Sequence, residues 1–192
     1  LLFTSFWEKN CPDIITGWNI RLFDIPYIIN RINRVIGPET IKRFSPWGVV
    51  NHRNLTIMNK QLDAYDLVGI QQLDYYDLFK KFDYVYGTLE SYTLDHVASV
   101  VLGERKLSYE EHGTLHALYK HDHQKFIDYN IRDVDLVDRL DQRLGLIERA
   151  ITIAYKGKLH YADTFGTVQI WDSIIYNRLR EDNIVPPPAK ER

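Results

Sequence analysis

Residues Thr16 to Ile32 read TGWNIRLFDIPYIINRI, and this stretch carries the strongest local signals for a strand followed by a helix. The β-prone run from Ile14 to Trp18 predicts a short buried strand. Asp24 and the Ile-Pro pair after it form a start signal for a helix, which we predict to continue to about Val35. In open α/β sheets, ligands bind where a strand leads into a helix. We therefore expect functional side chains between the predicted strand and the predicted helix.

The rest of the chain is predicted to be β-rich first and helical afterwards. Branched residues scattered among Asn, Asp and Gly between Phe44 and Asp74 predict a hairpin, followed by a strand at Gly69–Leu73. Apolar residues at helical spacing predict helices at Leu1–Lys9, Tyr75–Phe82, Tyr92–Leu102, Thr114–Leu144 and Trp171–Glu181, with a break at Gly145. Strands and a majority of helices indicate a layered α/β or α+β domain.

Composition excludes several classes of protein. The 192 residues carry 24 Lys and Arg against 26 Asp and Glu, so the net charge of −2 excludes a polybasic protein that binds nucleic acid by bulk electrostatics alone. The hydrophobic fraction of 45% excludes a disordered tail. The single cysteine, Cys11, excludes an internal disulfide framework and a four-cysteine zinc site. No apolar run approaches the roughly 20 residues of a membrane span, so we expect no membrane association.

Two short motifs contain residue types suited to metal chemistry. Asp24 lies where the predicted strand leads into the helix, and its ordinary interpretation is a helix N-cap, although a metal-binding aspartate can occupy the same place. Tyr129 and Asp133 are four residues apart, so a helix would place them on one face. The ordinary interpretation of that pair is a surface i, i+4 contact, and the alternative is a metal ligand beside a phenol that orients water.

Two other clusters have a structural interpretation and a functional one. His112, His116, His121 and His123 form a histidine-rich segment, in which the predicted shared helical face of His112 and His116 permits zinc binding, whereas a solvated polar surface is the simpler interpretation. The aromatic residues at 75, 76, 79, 82, 84 and 86 suit base stacking. Their helical spacing favours core packing instead.

The first two motifs together resemble the family B DNA polymerases. The stretch from Thr16 to Ile32 resembles the second exonuclease motif of that family, with its Asn-x-x-x-Phe-Asp core. YNIRDVDLV, from Tyr129 to Val137, resembles the third motif, Tyr-x-x-x-Asp. The segments Gly69–Phe82 and Tyr92–Glu111 are similar to the proofreading domain of the replicative polymerases of tailed bacteriophages.

The resemblance implies a ribonuclease-H-like α/β exonuclease fold, truncated at its N-terminal strands and carrying an inserted β-hairpin. It places a 3′–5′ exonuclease domain at residues 1–145 and a passage towards the polymerase palm at 146–192. The first motif of the family, Asp-x-Glu, is not found in this sequence. We therefore expect the enzyme to be a DNA-directed DNA polymerase with 3′–5′ exonuclease activity, and these 192 residues alone to be inactive or nearly so.

The resemblance also implies the functional residues and the cofactors. Asp24 and Asp133 would bind two divalent cations, magnesium or manganese, which remove a mismatched primer end by hydrolysis. Tyr129 would orient the attacking water, and Asn19 and Phe23 would line the pocket for the unpaired 3′ end. These roles require the two aspartates to fold into a common cavity.

The implied partners are the primer 3′ end and template of DNA, the remainder of the polymerase chain, a sliding clamp and a single-strand-binding protein. The implied location is the cytoplasm of an infected bacterial host. Two alternatives remain open. One is a non-catalytic module with the same fold that binds single-stranded DNA or serves as a scaffold, and the other is a histidine-dependent metallohydrolase.

Overall fold

The structure is a computed structural model, and it describes residues 2–57, 59–82 and 84–186. These residues form a mixed α/β protein, in agreement with the predicted class. The strands are β1 (Ile14–Gly17), β2 (Val50–Ile57), β3 (Lys60–Leu67) and β4 (Gln71–Asp74). The helices are α1 (Leu2–Asn10), α2 (Asp24–Val35), α3 (Tyr75–Phe82), α4 (Leu94–Leu102), α5 (Leu115–His121), α6 (His123–Leu144), α7 (Leu146–Gly157) and α8 (Thr167–Glu181). Short 3-10 segments lie at Pro38–Phe44, Glu110–His112 and Tyr161–Phe165.

The chain divides into two compact units. Within the described residues, unit 1 comprises 2–15, 21–73 and 147–186, and unit 2 comprises 16–20 and 74–146. The domain boundary predicted between residues 145 and 146 stays a prediction, and part of its second domain, residues 187–192, lies outside the described residues. None of the described helices has the length and apolar character that crossing a membrane requires.

The core of unit 1 forms where α2 packs against the hairpin and the first 3-10 segment. Ile25, Ile29 and Ile32 lie on one face of α2 and are buried together with Phe44 and Leu67. Trp7 packs against this cluster and donates from its indole N–H to the carbonyl of Phe44 at 3.2 Å.

The predicted hairpin is present. Strands β2 and β3 pair antiparallel with one-to-one register from Val50↔Leu67 to Ile57↔Lys60. The predicted strand after it is also present, as β4, which pairs with β1 in a separate two-stranded sheet. The strand predicted from Ile14 to Trp18 is only partly buried, and it ends at Gly17.

Unit 2 is built mainly from helices. Both α4 and α5 contact α6, the longest helix described. Thr93, Thr114 and Asp122 accept backbone N–H groups at the starts of α4, α5 and α6, which satisfies donors that a helix start leaves free. Gly145 adopts a left-handed φ of 62° and ends α6, which confirms the predicted break.

The aromatic residues after β4 are mostly packing residues. Tyr75, Phe79 and Phe82 are buried, and Trp18 makes ring contacts with Tyr75 and Phe79 at centroid distances of 6.4 and 6.3 Å. Tyr84 differs because it is exposed. The core interpretation therefore holds for the three buried residues.

Candidate exonuclease site residues

Asp24 is the first residue of α2, within unit 1. The N-cap is Phe23, which makes no side-chain capping bond, so the ordinary interpretation of Asp24 as the N-cap is wrong by one position. Burial raises the pKa of the Asp24 carboxyl, although a hydrogen bond from its own backbone N–H acts in the opposite direction. No described residue of unit 1 forms an ion pair with it. Asp24 is therefore a half-buried carboxylate without an ion pair among the described residues of its own unit.

Phe23 and Asn19 occupy exposed positions in the turn before α2. The side chain of Phe23 is 66% exposed, which is high for a large aromatic residue and leaves its ring available to a ligand. Asn19, in unit 2, has a positive φ of 66°, a conformation that asparagine tolerates better than most residues. Its backbone N–H donates to Oδ1 of Asp74 at 2.8 Å. The same Asp74 oxygen accepts the N–H of Tyr76 at 3.1 Å, so one buried carboxylate fixes both the turn and the start of α3.

Tyr129 and Asp133 lie on α6 in unit 2, and the predicted i, i+4 arrangement on a helix is present. Tyr129 is buried, and its ring contacts the ring of Tyr109 in a T-shaped arrangement at 5.5 Å. Asp133 is only partly buried, with 28% of its side chain exposed. The surface interpretation of this pair therefore fails for the tyrosine, which is 8% exposed.

Lys106 joins these two side chains. Its ammonium Nζ lies 2.6 Å from Oδ2 of Asp133 and 3.4 Å from the hydroxyl of Tyr129, and it lies over the Tyr129 ring at 5.3 Å from the centroid. The backbone N–H of Lys106 donates to Oδ1 of Asp95 at 2.8 Å, which anchors the loop after α4. The structure thus brings together Lys106, Tyr129 and Asp133 in one unit.

Sequence reasoning missed Lys106. Its partner Asp133 is 27 positions away, and the lysine lies in a loop without periodicity. Nothing local in the sequence indicates this contact, because Gly103 ends α4 and the residues after it lie in a loop.

The electrostatics of the three groups are coupled. Burial lowers the pKa of Lys106, but the hydrogen bond to Asp133 and the nearby charges outweigh it, so the net pKa is raised. Burial and then the charge of Asp133 raise the pKa of Tyr129. The lysine is therefore a cation and the tyrosine a neutral phenol near neutral pH.

One oxygen of Asp133 has no partner. Oδ1 is buried and forms no hydrogen bond to any described residue, whereas Oδ2 accepts from Lys106. Buried polar atoms are nearly always satisfied, and an exception calls for a reason. The two oxygens of this carboxylate therefore have different environments, one paired and one without a partner among the described residues.

A second ion-pair group joins the same loop to α6, and here the carboxylate lies on the loop while the guanidinium groups lie on the helix. Glu104, in the loop, accepts from Arg132 at 2.5 Å and also from Arg139 on α6. Arg132 in turn donates to Asp135 at 2.6 Å. The loop that carries Lys106 is therefore held against α6 by a carboxylate at 104 and an ammonium at 106.

The histidine-rich segment does not form the predicted shared face. His112 ends the 3-10 segment at Glu110–His112 and His116 lies in α5, with Gly113 and the N-cap Thr114 between them. That prediction is wrong because a glycine and a capping threonine interrupt the helix. Nor does any group of three or more His, Cys, Asp or Glu in the described part of the chain have metal-binding geometry.

Comparison with known proteins supports the resemblance. The family described as DNA polymerase family B, exonuclease domain, matches residues 1–97, a range that contains Asn19, Phe23 and Asp24. The DNA-directed DNA polymerase of Enterobacteria phage T4 is 36% identical over 185 residues, covering 96% of this chain and 20% of the phage protein. The DNA-directed DNA polymerase of Escherichia phage RB69 is 36% identical over 188 residues, covering 98% and 20%.

A viral DNA polymerase is also similar to this chain, at lower identity and over a shorter range. The DNA polymerase catalytic subunit of Gallid herpesvirus 2 is 32% identical over 120 residues, covering 58% of this chain and 9% of the viral protein. The chain spans about a fifth of the length of its phage relatives. The family match extends over half of the sequence, and the phage similarity extends over nearly all of it. The chain therefore belongs to the exonuclease-domain family of the family B DNA polymerases.

Proposed function

We propose that this chain contributes the 3′–5′ exonuclease of a DNA-directed DNA polymerase, which removes mismatched primer ends by two-metal hydrolysis. The family match and the phage relatives support the polymerase context. The fold would be ribonuclease-H-like, with the β2–β3 hairpin as an insertion. The substrate is the 3′ end of a DNA primer, and the remainder of the polymerase chain is the structural partner.

The main observation in support of the proposal is that the two oxygens of the Asp133 carboxylate have different surroundings. One oxygen accepts from Lys106, and the other is buried without a partner among the described residues. Leaving a buried acceptor unsatisfied costs about 1–3 kcal/mol. A fold with no use for that oxygen would gain stability by exposing it or by giving it a donor. We therefore assign it to ligand binding.

The chemistry of the two proposed ligands, each considered in its own unit, suits a hard divalent cation. Magnesium and manganese prefer carboxylate oxygens, and Asp24 and Asp133 each offer one carboxylate. When bound, two such ions supply charge stabilisation to the attacking and leaving oxygens of the phosphodiester. Asp24, half-buried at the start of α2, offers a carboxylate whose own unit provides no cation.

The remaining residues hold protons and orient groups. Tyr129 stays a neutral phenol because its pKa is raised, so its hydroxyl can orient a water molecule. Lys106 fixes the rotamer of Asp133 and neutralises part of its charge. Phe23 offers an exposed ring to an unpaired base, and Asn19 offers a polar side chain beside the turn.

The phage relatives support a replicative enzyme in the cytoplasm of an infected bacterial host. A sliding clamp and a single-strand-binding protein are further proposed partners, by the same relationship.

The test is digestion of a 5′-labelled single strand by the polymerase chain that carries these residues, with magnesium. Asp24→Ala and Asp133→Ala should each reduce hydrolysis by at least 100-fold while strand binding in a chelator is kept. Asp128→Ala, an exposed aspartate of α6, is the matched control and should leave hydrolysis unchanged. Full hydrolysis by either site variant would contradict the assignment.

The non-catalytic alternative predicts a different outcome. A binding or scaffolding module would lose neither binding nor any metal-dependent reaction when both aspartates are replaced. A buried oxygen held without a partner argues against that alternative, because a scaffold gains nothing from it.

A further inference from the structure

Helix α2 has two faces of different character. Its buried face presents Ile25, Ile29 and Ile32 to the core of unit 1. Its opposite face exposes Tyr27, whose side chain is 63% accessible to solvent. The helix is thus anchored on one side and leaves an aromatic ring exposed on the other.

Two arginines follow Tyr27 on the exposed face. Arg31 is four residues after Tyr27 and Arg34 is three residues after Arg31, which are the spacings of neighbours on a helix surface. Both are exposed, and neither forms an ion pair with a described residue. Other arginines of the same unit differ, since Arg43 pairs with Glu8 and Arg53 pairs with Asp66. We call Phe23, Tyr27, Arg31 and Arg34 the α2 stripe.

The polar groups beside the stripe leave its positive charge uncompensated. Asn30, on the same helix, accepts a hydrogen bond at 3.1 Å from the hydroxyl of Tyr65 on the hairpin. The two hairpin aspartates on that strand are already engaged: Asp63 contacts His52 at 2.7 Å and Asp66 contacts Arg53. Apart from the Asp24 carboxylate at the start of the helix, the charged groups on this face without an ion pair among the described residues are therefore the two guanidinium groups.

We propose that single-stranded DNA lies along the α2 stripe, with phosphates on Arg31 and Arg34 and a base stacked on Tyr27. The chemistry is that of single-strand grooves, in which cations follow the backbone and aromatic rings stack bases. Unpaired arginines complement a polyanion, and arginine matches phosphate geometry with two parallel hydrogen bonds. The helix rises about 15 Å from Asp24 to Arg34, which is the length along which the strand would lie.

The inference rests on the proposed function, because it assigns the course of the strand whose 3′ end reaches Asp24. It adds residues that take no part in hydrolysis. Its test is therefore a binding measurement made in a chelator, where no hydrolysis occurs.

The first measurement is the salt dependence of binding to a fluorescent single-stranded oligonucleotide. Each phosphate contact with a single strand contributes about 0.7 to the slope of log K against log salt. The double variant Arg31→Ala, Arg34→Ala should reduce the slope by about 1.4. The matched control replaces two exposed arginines near helix ends, Arg143→Ala and Arg180→Ala, and should leave the slope unchanged.

The second measurement separates stacking from charge. Tyr27→Ala should weaken binding by about 5- to 150-fold, the range expected for the loss of one stacked base. Tyr27→Phe keeps the ring and should bind within about twofold of the parent chain. Circular dichroism of each variant confirms that the helix is retained.

The results distinguish this inference from the proposed function. If the α2 variants bind as the parent does, or if the control arginines matter equally, single-stranded DNA does not lie along the α2 stripe and the inference is wrong. That result leaves the Asp24 and Asp133 assignments unaffected. If Asp24→Ala and Asp133→Ala leave hydrolysis intact while the arginine double variant has the expected smaller slope of log K against log salt, the strand-binding inference holds and the catalytic assignment is wrong.

Discussion

Nζ of Lys106 lies 2.6 Å from Oδ2 of Asp133, while Oδ1 of the same carboxylate is buried and has no partner among the described residues. One oxygen of this aspartate is thus neutralised by the protein, and we propose the other as a cation ligand. The contact with the lysine fixes the orientation of the carboxylate. This arrangement gives Lys106 a positioning role for the proposed ligand Asp133.

We expect Lys106→Met to reduce exonuclease hydrolysis by about 100-fold, because loss of a positioned charged donor typically costs a factor of 10²–10³. The change removes the contacts to Asp133 and Tyr129 together. The measurement is the single-turnover rate on a single-stranded 3′ end, followed across magnesium concentrations. Lys158→Met, an exposed lysine paired loosely with Glu181 at 3.7 Å, is the control. A rate within threefold of the parent enzyme would remove Lys106 from the site.

We expect Tyr129→Phe to reduce hydrolysis by about 10- to 100-fold without loss of stability, since a positioned proton-bearing group contributes at least that much. The ring contact with Tyr109 and the position of Lys106 over the ring do not need the hydroxyl. Thermal melting checks the fold and single-turnover hydrolysis checks the chemistry. Tyr119→Phe, at an exposed position, should change neither quantity. Equal rates for the parent and Tyr129→Phe would show that the phenol orients nothing.

The ionised Asp24 carboxylate should lower the free energy of unfolding at neutral pH. Its pKa is raised by burial, so the folded state binds its proton more tightly than the unfolded state does. The stabilising effect of that proton is present below the ordinary pKa of 3.8 and is lost as pH rises through the raised value. Asp24→Asn should therefore increase the urea midpoint at pH 7, and the gain should vanish near pH 3. A lower midpoint at pH 7 would show that the carboxylate has a stabilising partner.

Glu104 should show the opposite dependence. The hydrogen bond from Arg132, followed by the other charges, lowers its pKa below the ordinary 4.5. Its contribution is present above pH 4.5 and is lost as pH falls through the lowered value. Glu104→Gln should therefore lower the urea midpoint at pH 7. Between pH 4.5 and about 2, the urea midpoint of the variant should fall less than that of the parent. Glu90→Gln, at an exposed position, serves as the control.

Local signals in the sequence predicted most helices correctly. The prediction for α2 matches Asp24–Val35, and that for α3 matches Tyr75–Phe82, because the Asp-Ile-Pro start and the apolar spacing act within a few residues. Helix α7, which begins directly after the break at Gly145, is not among the predicted helices. Its buried residues Leu146, Ala150 and Ala154 recur every four residues, a pattern that predicts a helix.

Non-local contacts explain what sequence reasoning could not supply. The role of Tyr129 as a buried residue depends on Lys106 and Tyr109, which lie on a loop that no periodicity describes. The one-position error at Asp24 arose because Phe23 adopts the non-helical N-cap conformation without a capping side chain, whereas sequence rules look for a polar residue there. The resemblance identified Tyr129 and Asp133 together, but only the fold adds the lysine between them.

Each compact unit contains a tryptophan that packs against other aromatic rings. Trp7 contacts Phe44 in unit 1, and Trp18 contacts the rings of α3 in unit 2. Trp47 and Trp171 are exposed and can be replaced by phenylalanine with little loss of packing. Two variants, one retaining only Trp7 and the other only Trp18, would then emit from a single unit each. The fluorescence of each variant during denaturation reports the unfolding of one unit. If the two unfolding curves coincide, the units unfold in one cooperative transition; if they are separated, the units unfold in two transitions.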